Sequence, residues 1–192
     1  MLRKAATGPV EVMSSVLGAP AVDAAGYVLA VIGTYGEVDA HGDVLVKGCF
    51  ADTGVFPISA YGHGSWESGI GALPVGLGTI REGDQPVLAA KFFDTFAGRE
   101  TFATVKQLGE VGQWSWGYDV LDDAAGEVNG RRVRLLRRVA IHEACPVLVG
   151  ASVGTATVAV HELRSEAPPE QVEAAREFLR FVAIRQSIGG VR

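Results

Sequence analysis

Cysteine is nearly absent from this chain, with Cys49 and Cys145 as its two thiols. Two thiols make neither a disulfide framework nor a zinc-ligand spacing. We expect both to be buried and reduced, serving as small hydrophobes in a reducing compartment. Long apolar runs are also missing, and none approaches the ~20 residues that span a bilayer as a helix. The opening MLRKAATGPVEV carries two basic residues with no apolar stretch behind them, so it reads as a frayed terminus rather than a secretion signal. No segment is strongly basic and the net charge is −5, which disfavours broad electrostatic attachment to nucleic acid. Neither GxxxxGK[ST] nor a GxGxxG opening a helix occurs, and HExxH is missing too. No phosphate-cradling loop or resident cofactor is therefore expected.

What the chain does have is glycine, 25 residues of it spread without a fixed period, in a sequence that is 48% apolar and 20% charged. Scattered glycine signals many turns and hence many short strands. A length of 192 residues suits one compact domain. Residues 1–25 are rich in Ala, Gly, Pro and Ser and are expected to form an irregular arm. Residues 26–163 form the body, and residues 164–192 a C-terminal helix and tail. Within the body, the β-branched run Tyr27–Thr34 reads as a buried strand. EVDAHGD follows as a turn, and Val44–Val46 and Pro57–Tyr61 as short extended pieces. Val75–Ile80 and Pro86–Phe93 flank REGDQ as a hairpin. Phe102, Val105 and Leu108 line one helical face that Gly109 ends. GQWSWGYDVL returns to a strand, DDAAGEVNG reads as a polar turn, and RRVRLLRRVAIHEACPVLVG holds one or two more strands. Thr155–Val160 is another. Past Pro168-Pro169, Val172, Ala175, Leu179 and Val182 form one apolar stripe. The sum is an α+β, mainly β chain, expected to be a small antiparallel β-barrel with surrounding helices.

Four histidines are available for chemistry: His41, His63, His142 and His161. His63 sits in ISAYGHGSW, where flanking glycines strip away steric cover and an apolar run places it at a strand end. YGHGSW can also be simply a turn. Ser115 sits in GQWSWGYDV. Strand alternation sends Trp114 and Trp116 to one face and Gln113, Ser115 and Gly117 to the other. Two large anchors thus hold a small hydroxyl on a rigid element, as a nucleophile needs; an ordinary solvent-facing strand serine looks the same. Gly117 would leave room there for a substrate backbone. Glu143, in AIHEACPV, lies between apolar segments. A carboxylate there can orient an imidazole or can pair with Arg137 or Arg138. Its neighbour His142 competes for the orienting role, and on a strand only one of the two can face the site. His41, Asp43, His63, His142 and Glu143 offer metal-ligand chemistry, but their spacing is poor.

Five segments, in order, resemble the prohead (capsid maturation) proteases of tailed phages. VDAHGDVLVKGCF resembles the family's D-x-x-G-D turn, ISAYGHG its histidine motif, and IGALPVGLGTIRE the stretch that follows it. QWSWGYDV resembles its S-x-G-Y nucleophile motif, and IHEACPVLVGASVGTATV its E-x-S-x-V-x-x-P-A-N-x-x-A segment. They cover roughly residues 27–160. The chain departs from the pattern at Cys145, where serine is usual, at Cys49, where alanine is usual, at Lys47 in place of proline, and around Gly150-Ala151-Ser152, where P-A-N is not kept. The resemblance implies a fold like the herpesvirus maturation protease and a serine endopeptidase. Ser115 would be its nucleophile, His63 its base and Glu143 its third member, with His142 in play because distant herpesvirus enzymes use a second histidine. It implies no metal and no cofactor. Its substrates would be scaffold segments, the major capsid protein's internal extension, and the protease itself near the arm or the C-terminal helix. The portal would be a neighbour in the assembling procapsid, within the host cytoplasm, and a second copy would make a homodimer. No membrane and no specific nucleic acid is implied. Two other classes stay open: a non-catalytic capsid-assembly or scaffold-like protein on the same fold, and a metal-dependent hydrolase.

Overall fold

The computed structural model describes residues 24–64 and 73–162. Most of the arm expected over residues 1–25, and the helix expected within 164–192, lie outside the described residues. Eight strands follow in order: β1 (Ala24–Val31), β2 (Asp43–Leu45), β3 (Phe56–Ile58), β4 (Gly76–Glu82), β5 (Pro86–Phe93), β6 (Gln113–Val128), β7 (Arg131–Val147) and β8 (Ala156–Glu162). One helix, α1 (Phe96–Leu108), separates β5 from β6, and a 3₁₀ turn at Tyr61–His63 follows β3. The chain is α+β and mainly β, and its sheet curls into a half-barrel.

The sheet runs β2-β7-β3-β4-β5-β1-β8, with β6 pairing β7 off this path. It is not wholly antiparallel, because β7 lies parallel to β2 and to β3. At the far edge, the Thr157 N–H of β8 donates to Gly112 O at 3.2 Å. The Trp114 indole N–H reaches Thr157 Oγ1 at 2.9 Å. These bonds bring the β8 edge up to the start of β6.

The core lies inside the curl. Val28 and Ile32 (the latter just past β1), Ile58 of β3, Leu88 and Phe92 of β5, Trp114 of β6 and Leu136 and Val139 of β7 are fully buried or nearly so. Each such large side chain contributes about 1.5–3 kcal/mol relative to exposure. Helix α1 caps this interior. The Thr95 hydroxyl accepts from the Gly98 N–H at 3.1 Å, satisfying one free amide of its first turn. Phe102 then meets Phe92 with ring centroids 5.7 Å apart. The chain leaves the helix at Gly109, φ 52°, a conformation that glycine adopts without a Cβ clash.

The polar stretch DDAAGEVNG does not form a turn along its length. β6 continues to Val128, and only Asn129-Gly130 turns, both in the left-handed region at φ 51° and 76°. That is the Asn-Gly chemistry of a two-residue hairpin. The strand persists because its acids face the arginines of β7. Asp122 bonds Arg137 at 2.9 Å, and Glu127 stands opposite Arg132 in the ladder. The arginine-rich segment is correspondingly one strand, not two.

Asp43 ties this hairpin to the body. Its carboxylate accepts from Arg134 Nε at 2.8 Å and Nη2 at 2.6 Å, and from the Tyr118 hydroxyl at 3.0 Å. Burial works against its charge, yet the Arg134 and Tyr118 bonds outweigh it and hold the carboxyl below its ordinary value. A depressed acid stabilises the fold above the unfolded-state pKa of about 4, and loses that contribution as pH falls through the lower folded value. We expect Asp43→Asn to cost about 1–3 kcal/mol at neutral pH. The gap from the parent chain should close as pH drops below the usual carboxylate range. Urea midpoints across pH read this directly, and a pH-independent gap would refute the charge argument.

Candidate active site

Four positions on one face of the β6–β7 ladder make a platform. Ser115 stands opposite Cys145, and Gly117 opposite Glu143. Trp114 and Trp116, on the other face, are 0% and 8% exposed. The indole N–H of Trp114 donates to Thr157 and that of Trp116 donates to Ile32 O at 3.2 Å. The strand therefore cannot roll, and Ser115 keeps its direction.

His63 arrives from the end of β3. The Ser59 N–H donates to Ala144 O at 2.9 Å, continuing the β3–β7 pairing. The chain then turns through Gly62 (φ 67°) and His63 (φ 59°), two successive left-handed residues. Glycine takes this conformation freely, whereas a residue with a Cβ gives up about 1–2 kcal/mol. The outcome lays the imidazole across the platform. His63 Nε2 is 3.1 Å from Ser115 Oγ, and His63 Nδ1 is 2.8 Å from Glu143 Oε1. The imidazole is 35% exposed and the Glu143 side chain 4%, so the serine side of the site meets solvent while the acid does not.

The proton positions follow from the donor inventory. An ionised carboxylate only accepts, so Nδ1–H donates to Glu143. The lone pair then lies on Nε2, and the Ser115 hydroxyl donates to it. Burial pushes the Glu143 carboxyl above its usual range, against the downward pull of the His63 ring and the Gly117 N–H. Its second oxygen, Oε2, is buried and has no partner among the described residues, which fits the upward push. Gly117 does not serve the purpose its sequence context suggested. A Cβ there would lie 3.0 Å from Glu143 Oε1, so the space is taken by the carboxylate rather than left for a substrate.

Sequence reasoning left Glu143 and His142 as rivals, and the strand separates them. His142 is exposed on the other face of β7 and pairs with Asp119 at 3.0 Å. Arg137 and Arg138 pair with Asp122 and Asp52, not with Glu143. His41 is exposed in the turn before β2, and His161 lies in β8 opposite Tyr27. The five-residue metal set is therefore dispersed, with Asp43 committed to Arg134.

A different trio does converge: the ligand atoms of His63, Glu143 and Cys145 lie within 4.8 Å of one another. The ligand atoms are already engaged with each other and with the nucleophile candidate, His63 Nδ1 with Glu143 and Nε2 with Ser115, and burial, followed by the Glu143 charge, pushes the Cys145 thiol up to about 12. The sulfur instead faces the His63 backbone N–H at 3.3 Å. Sequence reasoning missed this contact, although the two-residue spacing from Glu143 already put Cys145 on the same face.

No protein-family model, no curated protein and no solved structure matches the chain.

Cys49 and Cys145 are both fully buried, and burial pushes each thiol up to about 12. We expect neither to react with iodoacetamide in the folded protein at about pH 8, and both to react once it is unfolded. Rapid labelling of Cys145 without unfolding would contradict the geometry.

Proposed function

We propose that the chain is a serine endopeptidase of the tailed-phage prohead protease type, on a herpesvirus-protease-like half-barrel. The observation that carries this reading is the unbroken relay from Ser115 Oγ through both nitrogens of His63 to the buried Glu143 carboxylate. Three residues distant in sequence meet at hydrogen-bond reach, with the nucleophile on a rigid strand and the base half-exposed.

In the reaction, Ser115 Oγ attacks a peptide carbonyl as its proton passes to His63 Nε2. Glu143 holds the ring in the needed tautomer and stabilises the imidazolium. The tetrahedral intermediate collapses as His63 gives the proton to the leaving amine, which yields an acyl-serine and the first product. Water, deprotonated by the same nitrogen, then releases the second product and restores the hydroxyl. A carboxylate kept out of water acts more strongly on the imidazolium than an exposed one.

Two features favour a peptide substrate. Among the described residues no strand pairs with the second edge of β6; the Trp114 N–H already donates to Thr155 Oγ1 at 3.3 Å, so an extended chain can add through backbone hydrogen bonds along that edge past Trp114. Where the ladder begins at Gln113 and Val147, Val111, Leu148 and Val149 are 76%, 81% and 82% exposed, an apolar surface for substrate side chains. Under this reading the substrates are scaffold segments, the capsid protein's internal extension and the chain itself. The setting is the assembling procapsid in the host cytoplasm, with the portal nearby and a second copy as partner.

A fluorophosphonate probe should label the full chain at Ser115, and co-expression with the cognate capsid protein should give shortened products. Ser115→Ala and His63→Ala should abolish both. Glu143→Gln should slow labelling by roughly 10⁴-fold, the scale seen when a triad acid becomes an amide. Undiminished processing by Ser115→Ala would overturn the assignment.

A further inference from the structure

Three backbone features of the histidine turn call for an account. Gly62 and His63 are both left-handed, at φ 67° and 59°. The His63 amide donates to a sulfur, at 3.3 Å. That sulfur belongs to the residue directly across the ladder from Ser115.

The turn is clipped to β7 at successive levels. The Ser59 N–H donates to Ala144 O at 2.9 Å, and the Tyr61 hydroxyl to Val147 O at 3.2 Å. Between them the His63 N–H donates to Cys145 Sγ at 3.3 Å. The first two fix where the chain leaves β3. Only the third acts on the peptide that sets the direction of the His63 side chain. Without it the Gly64 N–H bond to Ala60 O, at 3.3 Å, is the local backbone bond left to set against the cost of the left-handed conformation, and the His63 amide loses its side-chain acceptor.

We propose that Cys145 is a positioning residue, whose sulfur holds the His63 backbone in the left-handed turn that places the imidazole between Ser115 and Glu143. The inference rests on Ser115 and His63 being the working pair. The sulfur acts as an acceptor and takes part in no bond making or breaking. Its burial keeps it protonated, so a second negative charge beside Glu143 is avoided. A serine there keeps an acceptor for the same N–H, whereas an alanine has none.

The test compares Cys145→Ser and Cys145→Ala in the full chain. Fluorophosphonate labelling of Ser115 should fall about tenfold or more in Cys145→Ala and stay within about threefold of the parent in Cys145→Ser, although both lose a well-packed sulfur. A purely structural role predicts losses that track the fall in melting temperature in both variants. Equal losses in the two, or full labelling in Cys145→Ala, would overturn the proposal.

A second readout does not need activity. In a Ser115→Ala background, the His63 backbone amide should be protected from hydrogen exchange with cysteine or serine at position 145, and should exchange at least about tenfold faster with alanine. Equal protection in all three would overturn the proposal as well. Absence of labelling in the parent chain would defeat the peptidase reading alone, because the exchange measurement still decides whether Cys145 holds the turn.

Discussion

The register of the β6–β7 ladder is the constraint on which the rest depends. Because Ser115 falls opposite Cys145 and Gly117 opposite Glu143, one face offers a hydroxyl, a sulfur, a bare backbone and a carboxylate within the span of one imidazole. A slip of β6 by one residue would send Ser115 and Gly117 to the other face, away from Cys145 and Glu143 of β7. Ser115 would then enter the core, and Trp114 and Trp116 would leave it. The burial of two tryptophans is thus what specifies the position of a half-exposed serine. The same long hairpin carries acids facing arginines far from the site, and the Asn129-Gly130 turn fixes its pairing from the other end.

Against this rigid ladder, the histidine is held by a turn that is costly in itself. Left-handed backbone at a residue with a Cβ persists only where its surroundings over-determine it. Here the surroundings are β7, which receives the chain at Ala144, Cys145 and Val147. Glu143 then fixes the far nitrogen of the ring. The site is assembled by β7 more than by any other element: it aligns β6 and supplies the acid, and the turn after β3 is fastened along its length. Its parallel pairing with β3 is what brings position 63 to position 115.

Much of the body could be read from the residues alone. The apolar run of β1, the β4–β5 hairpin and the stripe of α1 announce themselves through period, length and turn residues. The orientation of Ser115 followed from alternation between two tryptophans. The hairpin arm was misread because its residues are polar and exposed, which is also how a turn looks; charge pairing with a distant segment keeps it extended. The parallel pairings of β7 left no local signal, since they depend on which strands become neighbours after the chain has curled.

For the site, the sequence determined the inventory and the facing of each group: a serine between tryptophans, a histidine among glycines, and an acid and a thiol two residues apart. Those follow from local geometry, because strand alternation is a property of a few consecutive residues. Only the tertiary structure decided between Glu143 and His142, gave Cys145 a partner and filled the space at Gly117 with a carboxylate. Each of these depends on a distance between segments far apart in the chain, and such distances are set by packing of the whole sheet rather than by neighbours in sequence.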